Sequence, residues 1–261
     1  MERAIAKTED DVLDNNYPLL IRLKEKAPGT FSHSKNVAAM LDSIASAVGL
    51  SEKDLAIAGF YHDIGKIVAP QMFTENQAEK EESGHNNLSV KASLRFITAH
   101  VGDTARILVN DENIPLHVIR WCTQHHGTTV ARFFYNRAKK DTPDINPDHF
   151  RYPGPRPECL ESALLMICDI LEATSRSKSQ AGTLGDIEEL VEKVLAELEA
   201  DEQLDDVELT FGKLRKIKTV LKKELGAQYH KRIDYEDADE LVERAIPKEI
   251  VNKKKAPAKE E

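Results

Sequence analysis

Cysteine is scarce in this 261-residue sequence, and its three occurrences, Cys122, Cys159 and Cys168, form no C-x-x-C pair. An odd number of widely spaced cysteines indicates neither a disulfide framework nor a thiolate zinc site. Because this usage is typical of reducing compartments, we predict a cytoplasmic location.

Long apolar runs are absent as well. No stretch reaches the roughly 18 to 20 consecutive apolar residues that a membrane-spanning helix needs. The N-terminal Met1-Glu2-Arg3-Ala4 leads into an acidic segment without the apolar core of a signal peptide. We therefore expect a soluble chain with no membrane segment.

Positive charge is in deficit, since the formal net charge is -9. A protein that neutralises many backbone phosphates needs a basic face, so this charge argues against general binding of DNA or RNA polymers. Any phosphate ligand must instead be met by charges concentrated in one place.

Aromatic residues make up only 6% of the chain, and glycine and proline are also sparse. Apolar residues recur at helical spacing, as in Val37, Leu41, Ile44 and Val48, which favours helices over a β-sandwich or barrel. With 41% hydrophobic residues the chain can bury a sizeable core. We predict an all-α fold.

Breaks in these patterns predict the domain bounds. Residues 1–27 are expected to form a helical lead-in, residues 28–235 the main domain, and residues 236–261 an extension that ends in a disordered tail of lysine and glutamate. Gly49 and Gly226 are predicted to end helices. The polar residues 70–83 and the proline-rich residues 141–157 are predicted to be irregular.

The sequence Phe60-Tyr61-His62-Asp63-Ile64-Gly65-Lys66 closes an apolar helical segment. Consecutive helical side chains point about 100° apart, so His62 and Asp63 cannot bind one ion side by side unless the carboxylate also reaches a second ion. Asp63 is therefore a candidate bridging ligand. Gly65 permits the helix to end, and Lys66 is placed to meet an anionic oxygen.

Further histidines and an aspartate share this placement at helix ends or within apolar faces. A core would have to satisfy each of them separately, whereas a shared pair of metal ions satisfies them together. Imidazole and carboxylate donors without thiolate suit manganese or iron, and two such ions can hydrolyse a phosphoester. The candidate ligands are His33, His62, Asp63, His100, His125, His126 and Asp169.

The order of these residues resembles that of the HD-domain phosphohydrolase superfamily. Five stretches between residues 28 and 235 are similar to the catalytic domain of its PgpH-type receptor branch, whose members hydrolyse cyclic di-AMP to the linear dinucleotide pApA. The stretches are Phe60–Lys66, Glu75–Gln77, Gln124–Thr129, Phe133–Tyr135 and Phe150–Pro155.

The resemblance implies an HD helical bundle with additional C-terminal helices, and it divides the ligands between two divalent ions. One ion would be held by His33, His62, Asp63 and Asp169, and the other by Asp63, His100, His125 and His126. His62, Asp63 and Lys66 would then be the catalytic residues, acting with a hydroxide that bridges the metals. The substrate contacts expected in the similar stretches are Lys66, Asn76, Thr128, Tyr135, Arg151 and Tyr152.

The sequence departs from the family at two points. The family usually carries an extracellular segment and membrane helices ahead of this domain, so we expect either a part of a receptor or a separate soluble relative. The stretch Gly84–Ser89 is altered, and we predict that its His85 is not a ligand.

Other functions remain open at this stage. The same metals would serve hydrolysis of cyclic di-GMP, guanosine tetraphosphate or a nucleotide monophosphate. Some HD proteins oxidise organic substrates at a di-iron pair, and a nucleotide sensor that does not cut its ligand is a third class. Gly127-Thr128-Thr129 after the paired histidines differs from the pattern of the cyclic di-GMP branch.

Overall fold

The computed structural model describes residues 12–77 and 84–245, and the side chains of residues 12–77 and 84–229. The predicted tail, the first eleven residues and part of the predicted loop 70–83 lie outside the described residues. The all-α prediction is confirmed. The helices are α1 (Pro18–Lys26), α2 (Pro28–Val48), α3 (Glu52–Tyr61), α4 (Val90–Leu108), α5 (Leu116–Gln124), α6 (Arg132–Asp141), α7 (Leu160–Gln180), α8 (Ile187–Ala200) and α9 (Phe211–Ala245).

Several helix ends follow the local signals. Gly49 adopts a left-handed conformation, with φ of 77°, directly after α2. Ser51 accepts a hydrogen bond from the backbone N–H of Asp54 and so caps α3. Pro115 immediately precedes α5, and Asp186 accepts hydrogen bonds from the first turn of α8.

The structure differs from the sequence patterns at three helices, the first being the one whose apolar stripe, Val90, Leu94, Ile97 and Val101, predicted a helix end beside His100. Helix α4 continues to Leu108, so His100 lies in its middle rather than at its end. Helix α9 continues past Gly226, because the buried Leu225 is followed one turn later by the buried Tyr229, and this packing outweighs the cost of about 1 kcal/mol for a helical glycine. The sequence patterns also gave no sign that residues 132–141 form a helix of their own, α6.

The main core surrounds α7. Residues 162–169 of this helix are all buried, as expected of a helix with neighbours on every side. Around it pack apolar residues of α2, α3, α5, α8 and α9, and the same core includes Leu20 and Leu23 of the predicted lead-in, whose helix α1 lies against α2. Asp169 is therefore carried into the interior by the most enclosed helix of the described structure.

Gly65 brings the end of α3 against α4. Its backbone N–H donates to Oγ1 of Thr104 over 2.9 Å, and this hydroxyl donates to the carbonyl of His62 over 3.1 Å. A β-carbon at Gly65 would lie 2.1 Å from the carbonyl oxygen of His100. The absence of a side chain at this position therefore lets the segment with His62 and Asp63 touch the helix that carries His100.

We predict that Gly65→Ala destabilises the fold, whereas Gly102→Ala does not. The added methyl group at Gly65 collides with backbone atoms of α4, which should lower the free energy of unfolding by about 1–3 kcal/mol or more. Gly102 lies in α4, where a β-carbon would have no atom of the described residues within 4 Å apart from its neighbours in the helix, so alanine there should stabilise by roughly 0.5–1 kcal/mol. Urea unfolding of both variants measures the difference, and equal effects would contradict the close packing at Gly65.

Candidate metal centre

Asp63 lies between two groups of imidazole nitrogens at the end of α3, and only 1% of its side chain is exposed. Its Oδ2 atom lies 3.4 Å from Nε2 of His62 and 3.8 Å from Nε2 of His33. Its Oδ1 atom lies 3.2 Å from Nε2 of His100 and 3.6 Å from Nε2 of His125. Each oxygen of one carboxylate thus faces a different pair of histidines.

Two clusters of candidate ligands share this carboxylate, and within each the ligand atoms lie within 4.8 Å of one another. The clusters bring together all seven residues singled out from the sequence, in the grouping that the family resemblance implies. His85 lies outside both and contacts the carbonyl of Met72. The first cluster is His33, His62, Asp63 and Asp169, and the second cluster is Asp63, His100, His125 and His126.

Backbone carbonyls orient three of the rings. Nδ1 of His62 donates to the carbonyl of residue 59 over 2.9 Å, Nδ1 of His100 to that of residue 97 over 2.5 Å, and Nδ1 of His125 to that of residue 122 over 2.6 Å. Since a carbonyl only accepts hydrogen bonds, each Nδ1 carries the proton. When the ring is neutral, each Nε2 therefore has its lone pair directed at the centre, as a metal ligand requires.

The buried carboxylate of Asp63 supports a metal at this place. Neither of its oxygens has a hydrogen-bond partner within the described residues, although Nζ of Lys66 lies 2.7 Å from Oδ2. A buried carboxylate without hydrogen bonds is costly, and bound cations remove that cost. Burial raises the pKa of the thiols of Cys122 and Cys168, which leaves imidazole and carboxylate as the donors. These residues fit hard or borderline divalent ions.

The two clusters differ in their protonation before a metal binds. Burial opposes a charge on His62, but Asp63 and Asp169 outweigh it and raise the pKa of His62 to about 10. Burial also opposes a charge on His33, where hydrogen bonds with Asp169 and Glu172 nevertheless raise the pKa. In the second cluster, burial and the neighbouring imidazole of His125 hold the pKa of His126 well below its usual value.

Two carboxylates that the sequence patterns did not single out support the centre. Glu172 is buried and contacts Nδ1 of His33, and Glu75 lies 2.8 Å from Nζ of Lys66. Glu172 follows Asp169 by one helical turn within an apolar segment, and that spacing was a usable signal. Glu75 opens one of the stretches that carry the family resemblance.

Lys66 is held against the centre by two carboxylates. Its Nζ lies between Asp63 and Glu75 and 4.9 Å from the ring centre of Phe73. Burial opposes its charge, but the two carboxylates raise the pKa of Lys66, so it remains an ammonium. Its proposed contact with a phosphate stays a prediction.

The two predicted substrate tyrosines lie in different surroundings. Tyr152 stacks on the ring of His126, with the ring centres 4.2 Å apart, and so borders the second cluster. Tyr135 packs against Phe150 at a small apolar cluster that contains none of the seven candidate ligands.

Three more of these predicted residues are engaged within the protein. The side-chain amide of Asn76 bonds the backbone and hydroxyl of Thr30, over 3.0 and 2.9 Å. The backbone N–H of Thr128 donates to Gln203, and Arg151 pairs with Asp201. These contacts explain Asn76, Thr128 and Arg151 as supports of their loops, and their contact with a substrate stays a prediction.

A cavity of about 850 Å³ opens beside His126 and Tyr152. It lies between α7, α8 and the segment of residues 129–132. Apolar side chains such as Ile170 and Val194 line it together with the charged Lys178 and Lys193. Carboxylates such as Glu189 and Glu197 line it too, and a mixed apolar and polar lining of this kind is typical of small-molecule sites.

Comparison with known proteins identifies similar chains. A family model described as HD domain matches residues 30–174. The chain is 34% identical over 227 residues to cyclic-di-AMP phosphodiesterase PgpH of Listeria monocytogenes, an alignment that covers 87% of this chain and 31% of that protein. It is 35% identical over 227 residues to PgpH of Bacillus subtilis, covering 87% and 32%. The chain thus spans about a third of the length of these relatives.

The fold also matches a solved structure. The crystal structure of the L. monocytogenes PgpH HD domain in complex with cyclic-di-AMP superposes with a TM-score of 0.74 at 33% identity. The match covers 82% of this chain and 97% of that chain. Among the residues that the present structure describes, no helix is both long and apolar enough to cross a membrane.

We predict that metal binding to chelator-treated protein releases protons from the first cluster. An ion must displace the protons that the raised pKa values keep on His33 and His62, so about one to two protons should leave per ion at pH 7. The pKa of His62 is about 10, so as the pH is lowered below this value the affinity for the metal ion should fall about tenfold per pH unit for each proton displaced. Isothermal titration calorimetry in buffers of different ionisation enthalpy measures the release.

The control for this measurement is His117→Ala, which removes an exposed histidine that pairs with Asp54 outside both clusters. It should leave the proton release unchanged. A binding enthalpy that is the same in every buffer would contradict the prediction.

Proposed function

Since the chain belongs to the HD-domain family, we propose that it is a metal-dependent phosphodiesterase that hydrolyses cyclic di-AMP to pApA. The observation that carries the proposal is the carboxylate of Asp63, which is shared by two ligand clusters next to a large cavity. The cofactors are two divalent ions, with manganese or iron as the metals that suit the donors.

The arrangement fits hydrolysis of a phosphodiester. Two divalent ions, when bound, would supply an activated water and neutralise the charge of the phosphate oxygens. The chain itself holds Nε2 of four histidines at fixed positions through Nδ1 contacts made by each ring. Lys66 keeps a positive charge beside Asp63 and is placed to meet a phosphate oxygen while it remains paired with Glu75.

The volume and the position of the cavity support binding of a dinucleotide. Its volume of about 850 Å³ lies in the range of ligand sites, about 300–1,000 Å³. Because it begins at His126 and Tyr152, a ligand bound there reaches the second cluster directly. Tyr152 presents a flat ring already stacked on His126. The cavity lining carries both lysines, such as Lys178, and carboxylates, such as Glu189.

The choice of cyclic di-AMP rests on the relatives. PgpH of L. monocytogenes and PgpH of B. subtilis are cyclic-di-AMP phosphodiesterases, and the isolated HD domain of the former has been crystallised with cyclic-di-AMP. The match with the present chain covers 97% of that crystallised domain. We also propose a cytoplasmic location, which the three unpaired cysteines favour.

We predict that the protein, loaded with manganese or iron, converts cyclic di-AMP to pApA. The test is a panel of cyclic di-AMP, cyclic di-GMP, mixed cyclic dinucleotides, guanosine tetraphosphate and nucleotide monophosphates, with products identified by chromatography. Cyclic di-AMP should have the highest kcat/KM. If another compound of the panel is cleaved faster, that compound and not cyclic di-AMP is the substrate. Oxygen uptake with an organic substrate, without cleavage of any compound of the panel, would refute hydrolysis.

We predict that Asp63→Ala abolishes turnover but leaves binding of the dinucleotide measurable. Loss of the shared carboxylate removes a ligand of both clusters, so turnover should fall by at least about 100-fold. Equilibrium binding of cyclic di-AMP and its rate of hydrolysis are measured side by side. The matched control is Asp103→Ala on α4, which removes a surface carboxylate paired with Arg106. Normal turnover by Asp63→Ala would exclude the proposed centre.

A further inference from the structure

His33 is supported differently from the other ligand histidines. The rings of His62, His100 and His125 direct Nδ1 at neutral backbone carbonyls. Nδ1 of His33 instead contacts the carboxylate of Glu172. This carboxylate is fully buried, although a buried ionised group is costly unless its partners compensate.

Glu172 and Asp169 hold both nitrogens of the same ring. They are three residues apart on α7 and therefore lie on one face of the helix. Asp169 Oδ1 lies 3.0 Å from Nε2 of His33, and Glu172 Oε2 contacts Nδ1 of the same ring. The central helix thus fixes the position of a side chain that comes from α2.

The remaining contacts of Glu172 fix the carboxylate itself. Its Oε1 accepts a hydrogen bond of 3.0 Å from Nδ2 of Asn36, and Nε of Arg176 donates to Oε2 over 3.3 Å. Asn36 lies on α2, almost one turn after His33. Glu172 therefore cannot turn away from His33 without losing these bonds, and it remains a carboxylate acceptor at Nδ1.

A carboxylate behind a metal-binding imidazole has a known physical effect. It requires the proton to stay on Nδ1, directs the Nε2 lone pair at the metal and makes the ring a stronger donor, and losing such a support typically costs 10- to 100-fold in metal affinity. The first cluster also contains two carboxylates, Asp63 and Asp169, whereas the second cluster contains only Asp63. Both features favour a divalent cation in the first cluster.

We infer that Glu172 is a positioning residue that makes the first cluster the tighter of the two metal sites, so that the ion beside His33 binds first and the ion beside His126 binds second. The inference rests on the metal centre of the proposed function but not on its substrate. It makes the cluster next to the cavity, where His126 is stacked on Tyr152, the exchangeable half of the centre.

The test is a titration of the chelator-treated 261-residue chain with Mn²⁺, monitored by calorimetry and by electron paramagnetic resonance. The unmodified protein should bind two ions in two steps of unequal affinity. Glu172→Gln, which keeps the size of the side chain but removes its charge, should weaken the tighter step by about 10- to 100-fold. The weaker step should change by less than about threefold.

Glu161→Gln is the matched control, because it makes the same change at a carboxylate in the first turn of the same helix, α7, outside both clusters. It should leave both steps within about threefold of the unmodified protein. Any general loss of stability in either variant is measured separately by unfolding of the metal-free protein. A merely structural role for Glu172 would alter the unfolding and not the tighter binding step.

A second pair of variants keeps the test valid if Glu172→Gln does not fold. His33→Ala should remove the tighter step, and His100→Ala should remove the weaker one. Two equal steps in the unmodified protein, or equal weakening of both steps by Glu172→Gln, would overturn the inference and leave the proposed function standing. Failure of the unmodified protein to bind any Mn²⁺ or Fe²⁺ would overturn both.

Discussion

The structure depends on the burial of a single carboxylate, that of Asp63, at the point where helices from distant parts of the chain meet. Within the described part of the chain neither of its oxygens has a hydrogen-bond partner, while four imidazole nitrogens and the ammonium of Lys66 surround it. In an interior of low dielectric such an arrangement is stable only if positive charge collects there. The fold therefore gathers imidazole donors and the ammonium of Lys66 around a buried carboxylate, inside a chain whose net charge is -9.

Rigid supports turn this cluster of side chains into a defined site. Three histidines donate to the carbonyl three residues earlier on their own segment, so their ring orientation follows from local backbone geometry. The distance between segments is set by packing instead. Gly65 allows contact with α4, and the enclosed helix α7 brings Asp169 and Glu172 to His33. Local backbone geometry thus orients the ligand rings, and tertiary packing brings the ligands into contact.

The two halves of the centre have different surroundings. The first cluster is enclosed by α2 and α7 and carries an additional carboxylate behind His33. The second cluster adjoins the cavity through His126, whose ring is supported by stacking on Tyr152. The first cluster would hold its ion away from the cavity, and the second would hold its ion where a substrate can approach.

The sequence by itself determined the helical class, several helix ends and the set of candidate ligands, because these depend on periodicity, on capping residues and on the motif order of the HD family. It did not determine that α4 and α9 run on past the expected ends or that residues 132–141 form a helix, since tertiary packing overrides local propensity there. Only the tertiary structure decided the partners of Glu172, Asn76 and Arg151. Those contacts join residues up to 139 positions apart, and spacing along a chain carries no information about which side chains meet across a core.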